Sequence, residues 1–96
     1  GKTVRSKYLS LKYVPNNRRT ESRLAVVVSK KVTKKAPLRN RMRRRVFELV
    51  RQHWAMIIPG HDLVITVFDD RVATIPASEL NKYITELLTQ ANLLKK

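Results

Sequence analysis

Residues 4–14, VRSKYLSLKYV, alternate between apolar and polar positions, with Leu9, Leu11 and Tyr13 on one face of an extended chain and Tyr8, Ser10 and Lys12 on the other. A period of two marks a strand with one buried face. The turn-forming stretch PNNRRTES follows, carrying Arg18 and Arg19, and then RLAVVVS at 23–29, a β-branched run suited to a more central strand. Together these segments predict a hairpin with a long basic loop.

The period then changes. Pro37 suits a first helical turn, where its missing N–H is not needed. Leu38, Met42, Val46, Leu49, Val50, His53 and Ile57 recur at spacings of three and four, which predicts a helix from Leu38 to the Pro59-Gly60 stop with this stripe facing the core. Phe47 and Trp54 flank the stripe and are expected to pack against the sheet or another element. HDLVITVF at 61–68 reads as a buried strand, closed by the turn DDRVATIPAS. A last helix is predicted from Ser78, its N-cap, with Leu80, Tyr83, Ile84, Leu87, Leu88, Ala91 and Leu94 on one face. The order strand, strand, helix, strand, helix indicates an α+β fold, a small sheet with helices on one face. A chain of 96 residues suits one domain, 1–96.

Charge narrows the function. Twenty-one Lys and Arg against seven Asp and Glu leave a net charge of +14, a field that repels itself unless a polyanion neutralises it. Nucleic acid is the commonest polyanion. No apolar run reaches the ~18 residues that span a bilayer, and no secretory segment is visible near the start, so a soluble, cytoplasmic protein is expected. The absence of Cys removes disulfides, thiolate metal sites and thiol nucleophiles together. The first residue is Gly, not Met, which implies a start that is processed, tagged or trimmed.

The charge is also unevenly placed. No acid stands between Glu21 and Glu48, while nine Lys or Arg fall between Lys30 and Arg45. Cations in the first turns of a helix oppose its dipole at ~0.3–1 kcal/mol each, so this arrangement predicts an anion site, where the dipole and side chains act together on phosphate. Asn40, Arg41, Arg44, Arg45, Glu48 and Arg51 form the arc opposite the apolar stripe, and the planar Arg fork suits bidentate phosphate contacts. A ribosomal-type structural RNA-binding protein would use the same charge. A reader of the DNA major groove would need Asn, Gln or Ser mixed with Arg at several positions, and this helix offers mainly Asn40. His53 and His61 lack partners at metal-ligand spacing, Asp69-Asp70 read as turn formers, and Ser29 has no identifiable base and acid. No catalytic residue and no metal site on the protein is predicted.

The stretch LAVVVSKKVTKKAPLRNRMRRRVFELVR resembles the central block of the bacterial ribonuclease P protein subunit family. There a strand ends in V-S-K-K, a short basic loop follows, and a helix opens with R-N-R; here the pieces are Val28-Ser29-Lys30-Lys31 and Arg39-Asn40-Arg41. The resemblance extends to Gly1–Val4, the HDLVITV strand and the final helix. It implies a fold like the second domain of ribosomal protein S5, with a left-handed β-α-β crossover. It also implies a subunit of an endoribonuclease whose RNA removes the 5′ leader from precursor tRNA, with Mg2+ bound mainly by that RNA and the protein alone not catalytic. By the same resemblance Arg39, Asn40, Arg41, Arg44 and Arg45 meet the catalytic RNA, Lys30, Lys31 and Lys35 flank that contact, and Ser29 supports it. Tyr8 and Lys12 are expected to line the leader path, since single-stranded RNA is gripped by stacking and basic groups. The family begins with a short helix that contributes aromatic residues to the leader cleft. This chain starts at the Gly that follows it, and Lys12 stands where the family has a strand aromatic.

Overall fold

The computed structural model describes residues 2–16 and 22–95. The alternating segment at the start forms two strands rather than one. β1 (Lys2–Arg5) and β2 (Leu9–Pro15) pair antiparallel, with Val4 opposite Leu11, and the chain bends between them at Ser6–Tyr8. β3 (Arg23–Val28) and α1 (Ala36–Gln52) follow, then a 3-10 turn at Trp54–Met56 and β4 (His61–Val67). A second 3-10 turn at Asp70–Ala73 leads into α2 (Ala77–Gln90).

Among the described residues the sheet has four strands in the order β1-β2-β4-β3. β4 runs antiparallel to β2 and parallel to β3, so the predicted hairpin between residues 4–14 and 23–29 does not form. β4 lies between them instead. Its apolar sequence explains this, because a central strand satisfies both backbone edges and buries the most side-chain surface. The basic loop expected there, with Arg18 and Arg19, lies outside the described residues.

Alternation sorts the sheet into two faces. Leu9, Leu11, Leu63, Ile65 and Val67 are fully buried, and they meet Met42, Val46 and Val50 of α1 and Leu80, Ile84, Leu87 and Leu88 of α2 in one apolar cluster. Each such side chain contributes about 1.5–3 kcal/mol on leaving water. Lys12, Val14 and Val27 point the other way and are exposed. The helices thus cover one face, as the sequence predicts, and leave the other open.

The helix ends differ from expectation. α1 stops at Gln52, well before Pro59. Ile57 forms a β-bridge with Leu94, Ile58 N–H donates to Leu93 O at 2.7 Å, and Lys95 N–H donates to Met56 O at 2.7 Å. These long-range bonds take up backbone groups that a longer helix would have used internally. α2 begins at Ala77 after Pro76, with no side-chain cap bond, so Ser78 lies inside the first turn. Its far end closes through Asn92, at φ 58°, with Asn92 N–H to Thr89 O and Leu93 N–H to Leu88 O, both at 3.0 Å. That αL closure satisfies the last carbonyls and tucks Leu93 into the core. Among the described residues no helix is long and apolar enough to cross a membrane.

Candidate nucleic-acid interface

Short local bonds shape the segment that enters α1. Ser29 Oγ accepts from Lys31 N–H at 3.2 Å, Ser29 O accepts from Val32 N–H at 3.0 Å, and Thr33 Oγ1 accepts from Lys35 N–H at 3.2 Å. The curled loop leaves Lys30, Lys31 and Lys35 exposed beside the N-terminus of α1. The helix opens with Pro37 in its first turn and no acid there. Its unpaired N–H groups and these cations therefore create positive potential at one place.

Helical residues are about 100° apart, so with Met42, Val46 and Val50 buried the run Arg39-Asn40-Arg41 fans around the helix. Arg39 is half-buried, whereas Asn40 and Arg41 are exposed on different flanks. On one flank Asn40 Oδ1 accepts from Arg43 Nη2 at 3.1 Å, and with Arg44 they border a groove against β3. On the other, Arg41 borders a hollow of about 440 Å³ with Pro37, Arg44, Arg45 and Glu48. Among the described residues the one ion pair is Arg71 with Asp69, at 3.9 Å, so the cations of α1 are not neutralised from within.

Arg45 departs from the predicted outward arc. It is half-buried, its Nη1 donating to Val72 O at 2.7 Å and its Nη2 to Ile75 O. It fastens α1 to the turn that precedes α2. Phe47 lies beside Leu24 and Val26 of β3, as expected, but less completely buried: it is 39% exposed, with the Arg51 guanidinium 5.8 Å from its ring centre.

Tyr8 and Lys12 are not brought together. Tyr8 is only 8% exposed, edge-on to Tyr83 of α2 with ring centres 5.6 Å apart. Its hydroxyl accepts from Arg71 Nη1 at 3.3 Å, a bond that raises the guanidinium pKa. The bend before β2 takes Tyr8 out of the strand alternation that would have placed it beside Lys12. Tyr83 in turn donates its hydroxyl to Glu79 Oε1 at 2.9 Å; that bond, with burial, pushes its pKa up to about 12.

Lys12 stands on the open face between Thr3 of β1 and Val64 of β4. Arg5, whose register partner is Ser10, shares that face, and its guanidinium lies 5.7 Å from the ring centre of Phe68, which is 47% exposed. Neither this cation nor this ring stands out in the sequence. Phe68 reads as the end of a buried strand, and only the pairing of β1 with β2 and β2 with β4 brings Arg5 to it.

The ribonuclease P family model matches residues 1–92. This chain belongs to that family. The ribonuclease P protein component of Chloroflexus aurantiacus is 43% identical over 94 residues, covering 98% of this chain and 68% of that protein. The corresponding protein of a Pseudanabaena strain is 37% identical over 95 residues, covering 98% and 80%. Among solved structures, the RNase P protein from Thermotoga maritima superposes with a TM-score of 0.82 at 26% identity, over 94% of this chain and 83% of that one. The Staphylococcus aureus RNase P protein gives 0.84 at 21% identity, over 99% and 84%, a likeness of fold. Membership makes the chain a protein subunit of the ribonuclease P enzyme.

In this ribonuclease P family member two of the remaining polar candidates, His53 and Asp69, have structural partners. His53 Nε2 lies 2.8 Å from Asn81 Oδ1, joining the end of α1 to α2. Asp69 Oδ1 accepts from Arg71 N–H at 2.9 Å and caps the following 3-10 turn. Among the described residues no three His, Asp or Glu side chains converge as metal ligands.

Proposed function

We propose that this chain docks on the catalytic RNA of ribonuclease P and assists removal of the 5′ leader from precursor tRNA. The observation that carries this reading is the unneutralised cation array at the N-terminus of α1. Lys30, Lys31 and Lys35 stand at its entry, and Arg39, Asn40, Arg41 and Arg44 lie along its first turns. Phosphates are the ligands that both the helix dipole and guanidinium forks favour. The RNA performs the hydrolysis and holds the Mg2+ ions, and the protein supplies binding energy and orientation. The open sheet face carries the leader, with Lys12, Arg5 and Phe68 as contacts in place of the buried Tyr8. Such a subunit works in the cytoplasm. The family match favours this role over that of a ribosomal-type structural protein.

The test is cleavage of precursor tRNA by ribonuclease P RNA at limiting magnesium. Added protein should accelerate cleavage in proportion to its occupancy, and the protein alone should cut nothing. A rate that stays flat across the protein titration would refute the proposal.

A further inference from the structure

Between α1 and β3 lies an open groove of about 430 Å³ that is lined by Leu24, Val26 and Phe47 together with Asn40, Arg43 and Arg44. It runs on into a smaller hollow of about 160 Å³ bounded by Phe47, Arg51 and Trp54. β3 is an edge strand, so the groove opens along an uncovered margin of the sheet. Neither Leu24 nor Val26 completes its burial, and Phe47 offers an exposed ring.

We infer that this groove receives one unpaired nucleotide of the docked RNA, its base against Phe47, Leu24 and Val26 and its phosphates on Arg43, Arg44 and Arg51. Three points choose this occupant. The lining carries guanidinium groups and no acid; Glu48 enters only the neighbouring hollow, which shares Arg44 with this groove. An apolar floor with one open ring, edged by cations, suits a base and its flanking phosphates, because recognition of unpaired RNA couples stacking to backbone neutralisation. The groove is also continuous, through Asn40 and Arg44, with the array proposed above to dock RNA. A second copy of the chain would place another +14 charge against the same face. The inference rests on the RNA-docking reading and adds that one splayed base is held apart from the phosphate contacts.

Trp54 is the chain's single tryptophan and borders the inner hollow, so its fluorescence reports occupancy. The experiment compares an RNA hairpin bearing one bulged adenosine with the same hairpin fully paired, titrated into wild type, Phe47→Leu and Phe47→Tyr. For wild type the bulged hairpin should bind about tenfold more tightly, as one added stack predicts, and should change Trp54 emission. Phe47→Leu should remove that preference while leaving affinity for the paired hairpin unchanged, and Phe47→Tyr should keep it. Equal binding of the two hairpins by wild type, or an undiminished preference in Phe47→Leu at unchanged melting temperature, overturns the inference. Protein-concentration-dependent quenching of Trp54 without RNA would likewise overturn it, in favour of a second copy on the β3 edge. A bulge preference that persists while precursor tRNA cleavage is not stimulated would reject the ribonuclease P role alone; equal hairpin binding with stimulated cleavage would reject the base site alone.

Discussion

Replacing Arg45 with Ala separates a structural cation from the neighbouring cations proposed to meet RNA. The side chain bridges two carbonyls, Val72 O and Ile75 O, across a partly buried gap between α1 and the turn before α2. Hydrogen bonds from charged groups are worth ~1.5–3 kcal/mol each in favourable settings. Half-burial of the guanidinium lets water replace part of the loss, which brings the expected cost of removing both to about 2 kcal/mol. For a domain of this size each kcal/mol corresponds to ~4–8 °C, so Arg45→Ala should melt roughly 8–16 °C lower. Arg41, exposed on its own flank, should behave oppositely. Its replacement by Ala should change stability by no more than ~0.5 kcal/mol. It should, however, flatten the dependence of log Kd on log salt by about one unit, the signature of one lost phosphate contact. Thermal melts followed by circular dichroism and a salt series of RNA-binding isotherms measure both quantities. An Arg45→Ala variant that melts like wild type and flattens the salt slope as Arg41→Ala does would refute the structural assignment. Arg45→Lys should recover only part of the stability, because an ammonium does not reproduce the fork that spans two acceptors.

Ile65 stands at the centre of the sheet and is fully buried, so Ile65→Ala should cost ~2–5 kcal/mol in chemical denaturation, and a loss under ~1 kcal/mol would place the core elsewhere. Tyr83 predicts an alkaline transition. Its pKa rises from 10.0 to about 12 on folding, so the protonated hydroxyl favours the folded state. Its contribution to stability is complete below pH 10 and is lost as pH climbs through 12. Glu79→Ala removes the acceptor and should move one tyrosinate titration back toward pH 10 in an ultraviolet difference spectrum; an unchanged titration would contradict the hydrogen-bond cause.

Local periodicity determined much by itself. Spacings of three and four placed the buried faces of α1 and α2 on Met42, Val46, Val50, Leu80, Ile84 and Leu87, and β-branched runs located β3 and β4. The acid-free interval from Glu21 to Glu48 and the V-S-K-K to R-N-R spacing point to phosphate and to the family without the tertiary fold. These features are legible because each depends on neighbours within a turn or two. What the tertiary structure decided involves partners far along the chain. Strand order placed β4 between β2 and β3, so the predicted hairpin gave way to a mixed sheet. Pairing of Ile57 with Leu94 ended α1 early, contact with Tyr83 buried Tyr8, and Val72 and Ile75 withdrew Arg45 from the outward arc. The same packing left Phe47 open beside β3. Each outcome turns on backbone groups or ring faces whose availability is set only when distant segments meet, and no one-dimensional pattern of charge and hydropathy records that.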